Sequence, residues 1–202
     1  LILCETIRMK KAILLSILIL SVFICFGQSI ESLSTIRLNK QKTGMLILGS
    51  WAALNIISSP ILSRNSSGNM KYFHQMNGYW NSVNLVIAGV GYYTASGQLE
   101  GPLDWASAFN EQIKLEKILL FNAGLDIGYI GAGFYLAERS KTMVKNPDRL
   151  KGFGLSLILQ GSFLLVFDSL FYLALKQTDS QWLELAQNVA IGPNGISMSF
   201  RF

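Results

Sequence analysis

The side chains of this sequence that could do chemistry are few and lie inside apolar stretches. Asp126 and Asp168 stand in FNAGLDIGYIGAGFYL and LILQGSFLLVFD, and His74 is the single histidine. An ionised side chain at the centre of a bilayer costs about 2.5–3.5 kcal/mol or more, so an acid there marks a proton or ion pathway by default. We expect Asp126 and Asp168 to be protonated, bonded to amides or exposed to a water-filled cavity. If they lie close together, they should share a proton.

A file of amides is the second polar feature. Within KYFHQMNGYWNSVNLVIAGVGYYTAS (71–96), a helix places His74, Asn77, Asn81 and Asn84 in an arc of about 80°. The remaining residues of this helix are mostly apolar. A water-soluble helix has the opposite proportions. The stripe therefore predicts a membrane helix that presents its polar side to partner helices.

The elements that must position these residues are long apolar helices. Half of the 202 residues are apolar, 14% are charged, and the mean hydropathy is +0.37. Residues 43–61 contain no charge and are long enough to cross about 30 Å of hydrocarbon. We predict an all-α fold, an integral membrane up-down four-helix bundle, in a domain at 29–177. Its helices are expected at about 43–61, 71–96, 111–138 and 150–176, before a tail at 178–202 with a possible single β-strand in ISMSFRF.

The N-terminus resembles a targeting signal. Residues 9–28 combine Met9-Lys10-Lys11 with an apolar core and a plausible cleavage region, which predicts a signal peptide. An uncleaved first helix is the alternative. We interpret residues 1–8 as upstream sequence or a mis-set start. Both cysteines, Cys4 and Cys25, precede residue 29, so a processed chain would contain neither a disulfide nor a thiolate ligand.

Location and partners follow from the same features. A multi-pass protein of the bacterial cell membrane is expected, in the inner membrane, with both termini periplasmic. Lys and Arg are balanced between the two sides, so the signal decides this orientation. The expected partners are the lipid bilayer and either a protein partner or a second copy. The net charge of +5 is spread without a basic block, which argues against nucleic acid.

Depth along the bundle groups the polar residues, because each residue of a helix advances about 1.5 Å. A deeper pair is Asn81 with Gln160, and Asn122 shares a helical face with Asp126. One layer outside the midplane is expected to hold four side chains: Asn55, Asn84, Asp126 and Asp168.

Two further contacts are expected. His74 should meet Glu138 at the inner edge. Gly124 and Gly128 form a GxxxG pair that permits close helix approach, either inside the monomer, which we favour, or between two copies.

Three functions fit this arrangement. The favoured one is a buried hydrogen-bond network that fixes helix register in a structural or accessory protein. A small proton or ion carrier using Asp126 and Asp168 is the alternative. A metal-dependent hydrolase would need His74 beside the two acids, but about 13 residues, or roughly 20 Å, separate them along the axis. We therefore expect no enzyme activity, no metal and no cofactor.

Several segments together resemble a known family. They are YFHQMNGYWNSVN (72–84), FNAGLDIGYIGAGFYL (121–136), LILQGSFLLVFD (157–168) and the tail GPNGISMSF. In these the chain is similar to an uncharacterised family of small bacterial membrane proteins that carry a domain of unknown function. The resemblance implies a multi-helix membrane fold and no established activity.

Overall fold

A computed structural model describes the backbone of residues 2–97, 105–192 and 195–198, and, apart from Lys11, side chains within 30–97 and 105–185. Four long helices dominate it. A short helix and an antiparallel hairpin follow, in which Ile191 lies opposite Ile196. The elements in chain order are α1 Ile2–Arg64, α2 Gly68–Gly97, α3 Trp105–Arg139, α4 Pro147–Lys176, α5 Asp179–Asn188, β1 Val189–Gly192 and β2 Gly195–Met198.

The long helices pack side by side, with α4 between α2 and α3, and α1 against α2. Each of α3 and α4 buries one file of residues spaced seven apart, a spacing typical of helices that cross at a shallow angle. On α3 this file is Gln112, Leu119, Asp126 and Gly133. On α4 it is Gly154, Gly161, Asp168 and Leu175. The two files face each other in antiparallel order, so each acid points toward the neighbouring helix.

Glycines allow α3 and α4 to approach closely. A Cβ on Gly154 would lie 2.6 Å from the carbonyl oxygen of Gly133, and one on Gly161 would lie 3.0 Å from that of Asp126. Real Cβ atoms do not tolerate the first distance, so only glycine fits at Gly154. These two contacts fix the α3–α4 register, in which Gly161 lies opposite Asp126 and Asp168 lies two helical turns further along α4.

The bundle has polar groups inside and large apolar side chains outside. Exposed residues include Leu54 and Ile57 on α1, Val86 on α2 and Ile127 on α3. Three stretches are long and apolar enough to cross a bilayer: Ile30–Arg64, Trp105–Arg139 and Pro147–Leu185. Among the described long helices, α2 alone is not apolar enough to be counted as a possible membrane span, because its asparagines lower its mean hydropathy. The predicted all-helical bundle is confirmed, while a crossing by α2 stays a prediction.

Some element boundaries differ from the sequence-based expectation. α1 begins at Ile2, not near residue 43, because the polar segment before residue 43 is helical and partly buried: Ser34, Arg37 and Gln41 face inward. α3 begins at Trp105, six residues earlier than expected. The tail forms a two-stranded hairpin in place of a single strand. The side chains of the predicted signal segment, 9–28, lie outside the described residues apart from Lys11.

Candidate functional site

The polar seam of the bundle consists of two parts, an amide network and an acid cavity. Asn77 on α2 is the centre of the network. Its side-chain oxygen accepts hydrogen bonds from Ser156 Oγ at 2.5 Å and from Gln160 Nε2 at 3.1 Å, both on α4. Ser156 and Gln160 are fully buried. Since each buried donor has its acceptor, the network ties α2 to α4 in one register.

The network extends to α1 through an indole. Trp51 Nε1 donates to Gln160 Oε1 at 3.0 Å, and the Trp51 ring stacks on Phe163 with centroids 4.0 Å apart. Gln160 therefore links α1, α2 and α4 with one side chain. Trp51 is therefore a member of the seam.

Asn81 and Asn84 continue the file along α2. The amide of Asn81 donates to the backbone oxygen of Asn77 at 2.9 Å, and the amide of Asn84 makes a long bond, 3.4 Å, to Asn81 Oδ1. All three asparagines are buried. The predicted stripe of α2 is thus the buried face, and Asn81 and Gln160 share Asn77 as their common partner.

The acid cavity begins where this file ends. Asp126 and Asp168 are only 2% and 5% exposed, and their carboxyl groups lie close enough for a side-chain hydrogen bond. Two ionised carboxylates are both acceptors only, so the contact requires a proton on one of them. Oδ2 of Asp126 has no hydrogen-bond partner. The structure thus brings the two predicted acids together, and their role as a functional site stays a prediction.

A cavity of about 260 Å³ adjoins the acids. Its aromatic wall is formed by Trp80 and Tyr129, whose rings meet edge to face at 4.7 Å. The cavity lies between α2 and α3, which make few other contacts with each other. It opens between these two helices, next to the exposed side chains of Val83, Ile87 and Leu125. The full lining is Leu48, Trp80, Val83, Asn84, Ile87, Asn122, Leu125, Asp126, Tyr129, Leu164 and Asp168.

Three of the four side chains expected in the acid layer, together with Asn122, line this cavity. Asn55 does not: it is half-buried, and its amide donates to the backbone oxygen of Trp51 in its own helix at 2.9 Å. A membrane asparagine can satisfy its amide within its own helix, and the sequence does not distinguish that from a bond to a neighbouring helix.

The inner-edge pair is not brought together. Glu138 is exposed, and its carboxylate pairs at 2.6 Å with Lys141, in the turn that follows α3. The ring of His74 instead meets Phe73 edge to face at 5.1 Å. Within the residues the structure describes, no three His, Cys, Asp or Glu side chains are grouped as a metal site requires.

The GxxxG pair faces outward. Ideal Cβ atoms on Gly124 and Gly128 would meet nothing within 4 Å, so the favoured packing inside the monomer does not occur. Gly133 and Gly154 make the close contact instead. The reason is helical phase: Gly133 lies on the same face as Asp126, seven residues away, whereas Gly124 and Gly128 point away from α4.

A charged cluster at the end of the bundle was missed by the sequence reasoning. Gln112, fully buried, donates to Glu116 Oε1 at 2.7 Å and to the backbone oxygen of Leu175 at 3.2 Å. Lys176 lies 3.4 Å from Glu116 and 2.6 Å from Asp179. The cluster joins α3 to the end of α4 and the start of α5. The amphipathic start of α3 was its available signal.

The fold and the seam define a class: a helical bundle with apolar outer surfaces and a buried polar seam, three of whose stretches could cross a bilayer. The chain belongs to the family of unknown function DUF6992, which it matches over residues 47–169. That span includes Trp51, Asn77 and Gln160 as well as both acids of the cavity. Comparisons with curated proteins and with solved structures found no match.

Proposed function

We propose that this chain is an integral membrane protein of a structural or accessory kind, in which the amide network holds α1, α2 and α4 in register. The proposal rests on the distribution of polar and apolar side chains, which is the reverse of that in a water-soluble protein. Asn77, Asn81 and Gln160 are inside, whereas large aliphatic side chains cover the outside. In water that surface would drive aggregation, but in lipid it is the expected exterior.

Membrane association tests this proposal directly. Membranes from cells that express the full chain are washed with alkaline carbonate and then with urea. The chain should stay in the membrane fraction and leave it only with detergent. Recovery of a folded, monodisperse chain in detergent-free buffer would refute the proposal, because the exposed apolar surface could not then be in contact with lipid.

The paired acids favour a second candidate, a small carrier that exchanges a proton. Asp126 and Asp168 face each other beside a cavity, and Oδ2 of Asp126 has no hydrogen-bond partner among the described residues. A shared proton would satisfy both groups and could be released if the cavity admits water.

Asp126→Asn and Asp168→Asn separate the two candidates. Proton flux is measured in liposomes that carry a pH-sensitive dye and a potassium gradient. If the protein is a proton carrier, the wild-type chain produces a flux, and either variant loses this flux while staying folded. If the protein is structural, neither the wild-type chain nor the two variants produce a proton flux. Each Asp→Asn substitution then lowers the stability of the fold only slightly. Glu138→Gln, which alters an exposed carboxyl, is the matched control.

A further inference from the structure

We infer that the acid cavity binds a small amphiphilic organic ammonium ion. The inference rests on the membrane placement proposed above and names a ligand for the acid pair. It depends on three features of the described residues: an unpartnered carboxyl oxygen, the charge of the acid pair, and an apolar mouth between two helices.

The first feature is an unpartnered carboxyl oxygen. Asp126 and Asp168 are both more than nine-tenths buried, and Oδ2 of Asp126 has no hydrogen-bond partner among the described residues. The amide of Asn84 donates to Asn81, which leaves Asn84 Oδ1 as a further acceptor at the cavity. A primary ammonium group carries three N–H donors and no acceptor, and so complements these oxygens.

The second feature is charge. When the acid pair holds one proton, it carries one negative charge, which a monovalent cation neutralises. The aromatic side chains of Trp80 and Tyr129 also line the cavity, and aromatic rings attract cations. No Lys, Arg or His belongs to the lining, so the protein itself supplies no counter-charge there.

The third feature selects an organic cation over a bare metal ion. The volume of about 260 Å³ is several times that of one water molecule, and most of the wall is aliphatic or aromatic. Leu48 and Leu164 line the interior. The mouth between α2 and α3 is bordered by exposed Val83, Ile87 and Leu125. An amine with a short apolar chain can reach such a mouth from the lipid and place its chain against these residues.

Calorimetric titration of the full chain in detergent with n-butylammonium chloride tests the inference. Saturable binding of one equivalent is expected. The uncharged analogue n-butanol should bind at least about tenfold more weakly, because hydrogen bonds to charged groups contribute that much. Tetramethylammonium, which has charge but no N–H, should also bind more weakly.

Variants locate the binding site. Asp126→Asn and Asp168→Asn should each weaken butylammonium binding about tenfold or more, whereas Glu138→Gln should leave it unchanged. Val83→Trp fills the mouth from α2 without altering the acids, and should block binding even if an acid variant fails to fold. Far-UV circular dichroism establishes that each variant compared is helical.

Equal affinity for butanol and butylammonium, no saturable binding to folded protein, or unchanged binding in both acid variants would each overturn the inference. These outcomes leave the proposed function standing if the chain still resists carbonate extraction. A chain that is folded and soluble without detergent would instead remove the membrane placement, and the two failures are thereby distinguished.

Discussion

Removal of the Asn77 side chain should destabilise the bundle more than any other single amide substitution on α2. Asn77→Ala eliminates the acceptor of two interhelical hydrogen bonds, from Ser156 and Gln160. Interhelical hydrogen bonds in a membrane protein average about 0.6 kcal/mol each, which sets a floor near 1.2 kcal/mol for two. Both donors are fully buried, and an unsatisfied buried donor costs about 1–3 kcal/mol. We expect a loss of about 1.2–3 kcal/mol in the free energy of unfolding.

The assay is equilibrium unfolding in mixed micelles, in which dodecyl sulfate is titrated into dodecylmaltoside and helicity is followed by circular dichroism. Asn110→Ala makes the same chemical change at an exposed position of α3 and should cost less than about 0.5 kcal/mol. In a double-mutant cycle, Asn77→Ala and Ser156→Ala should be coupled, because the two side chains share one bond.

The reasoning is refuted if Asn77→Ala costs no more than Asn110→Ala, or if the cycle shows no coupling between Asn77 and Ser156. Either result would mean that packing and lipid alone fix the register of α2 against α4.

Three further predictions use the same assay or thermal melting. Gly154→Val should cost about 1–3 kcal/mol or more because the new Cβ would lie 2.6 Å from the Gly133 oxygen, whereas Gly124→Val, which points into open space, should cost less than about 1 kcal/mol. Trp51→Phe keeps an aromatic ring against Phe163 but loses the bond to Gln160, so about 1 kcal/mol is expected, and Trp51→Ala should cost clearly more; equal losses would contradict the bond. Lys176→Met should lower the melting temperature more than Lys141→Met, because Lys176 neutralises the nearly buried Glu116 whereas Lys141 pairs with an exposed acid; equal shifts would show that the end cluster contributes nothing to stability.

The sequence determined the kind of protein and much of the seam. Long apolar stretches interrupted by Asn, Asp and Gln predict helices whose polar side faces inward, since an unpaired polar group in an apolar environment is costly. Depth counting along antiparallel helices placed Asn84, Asp126 and Asp168 together, because the rise per residue is constant in any helix. Asn81 and Gln160 were matched in the same way.

The tertiary structure decided which neighbour each polar group meets. Depth does not fix helix order or rotation. Only the packing of α4 between α2 and α3 shows that Asn77 is the hub, and that Asn55 is satisfied within its own helix. Likewise, the spacing of Gly124 and Gly128 along the sequence predicted a helix–helix contact, whereas the close approach of α3 and α4 occurs at Gly133 and Gly154. A pattern along one helix specifies a face, and the partner of that face is chosen by the shapes of all the helices together.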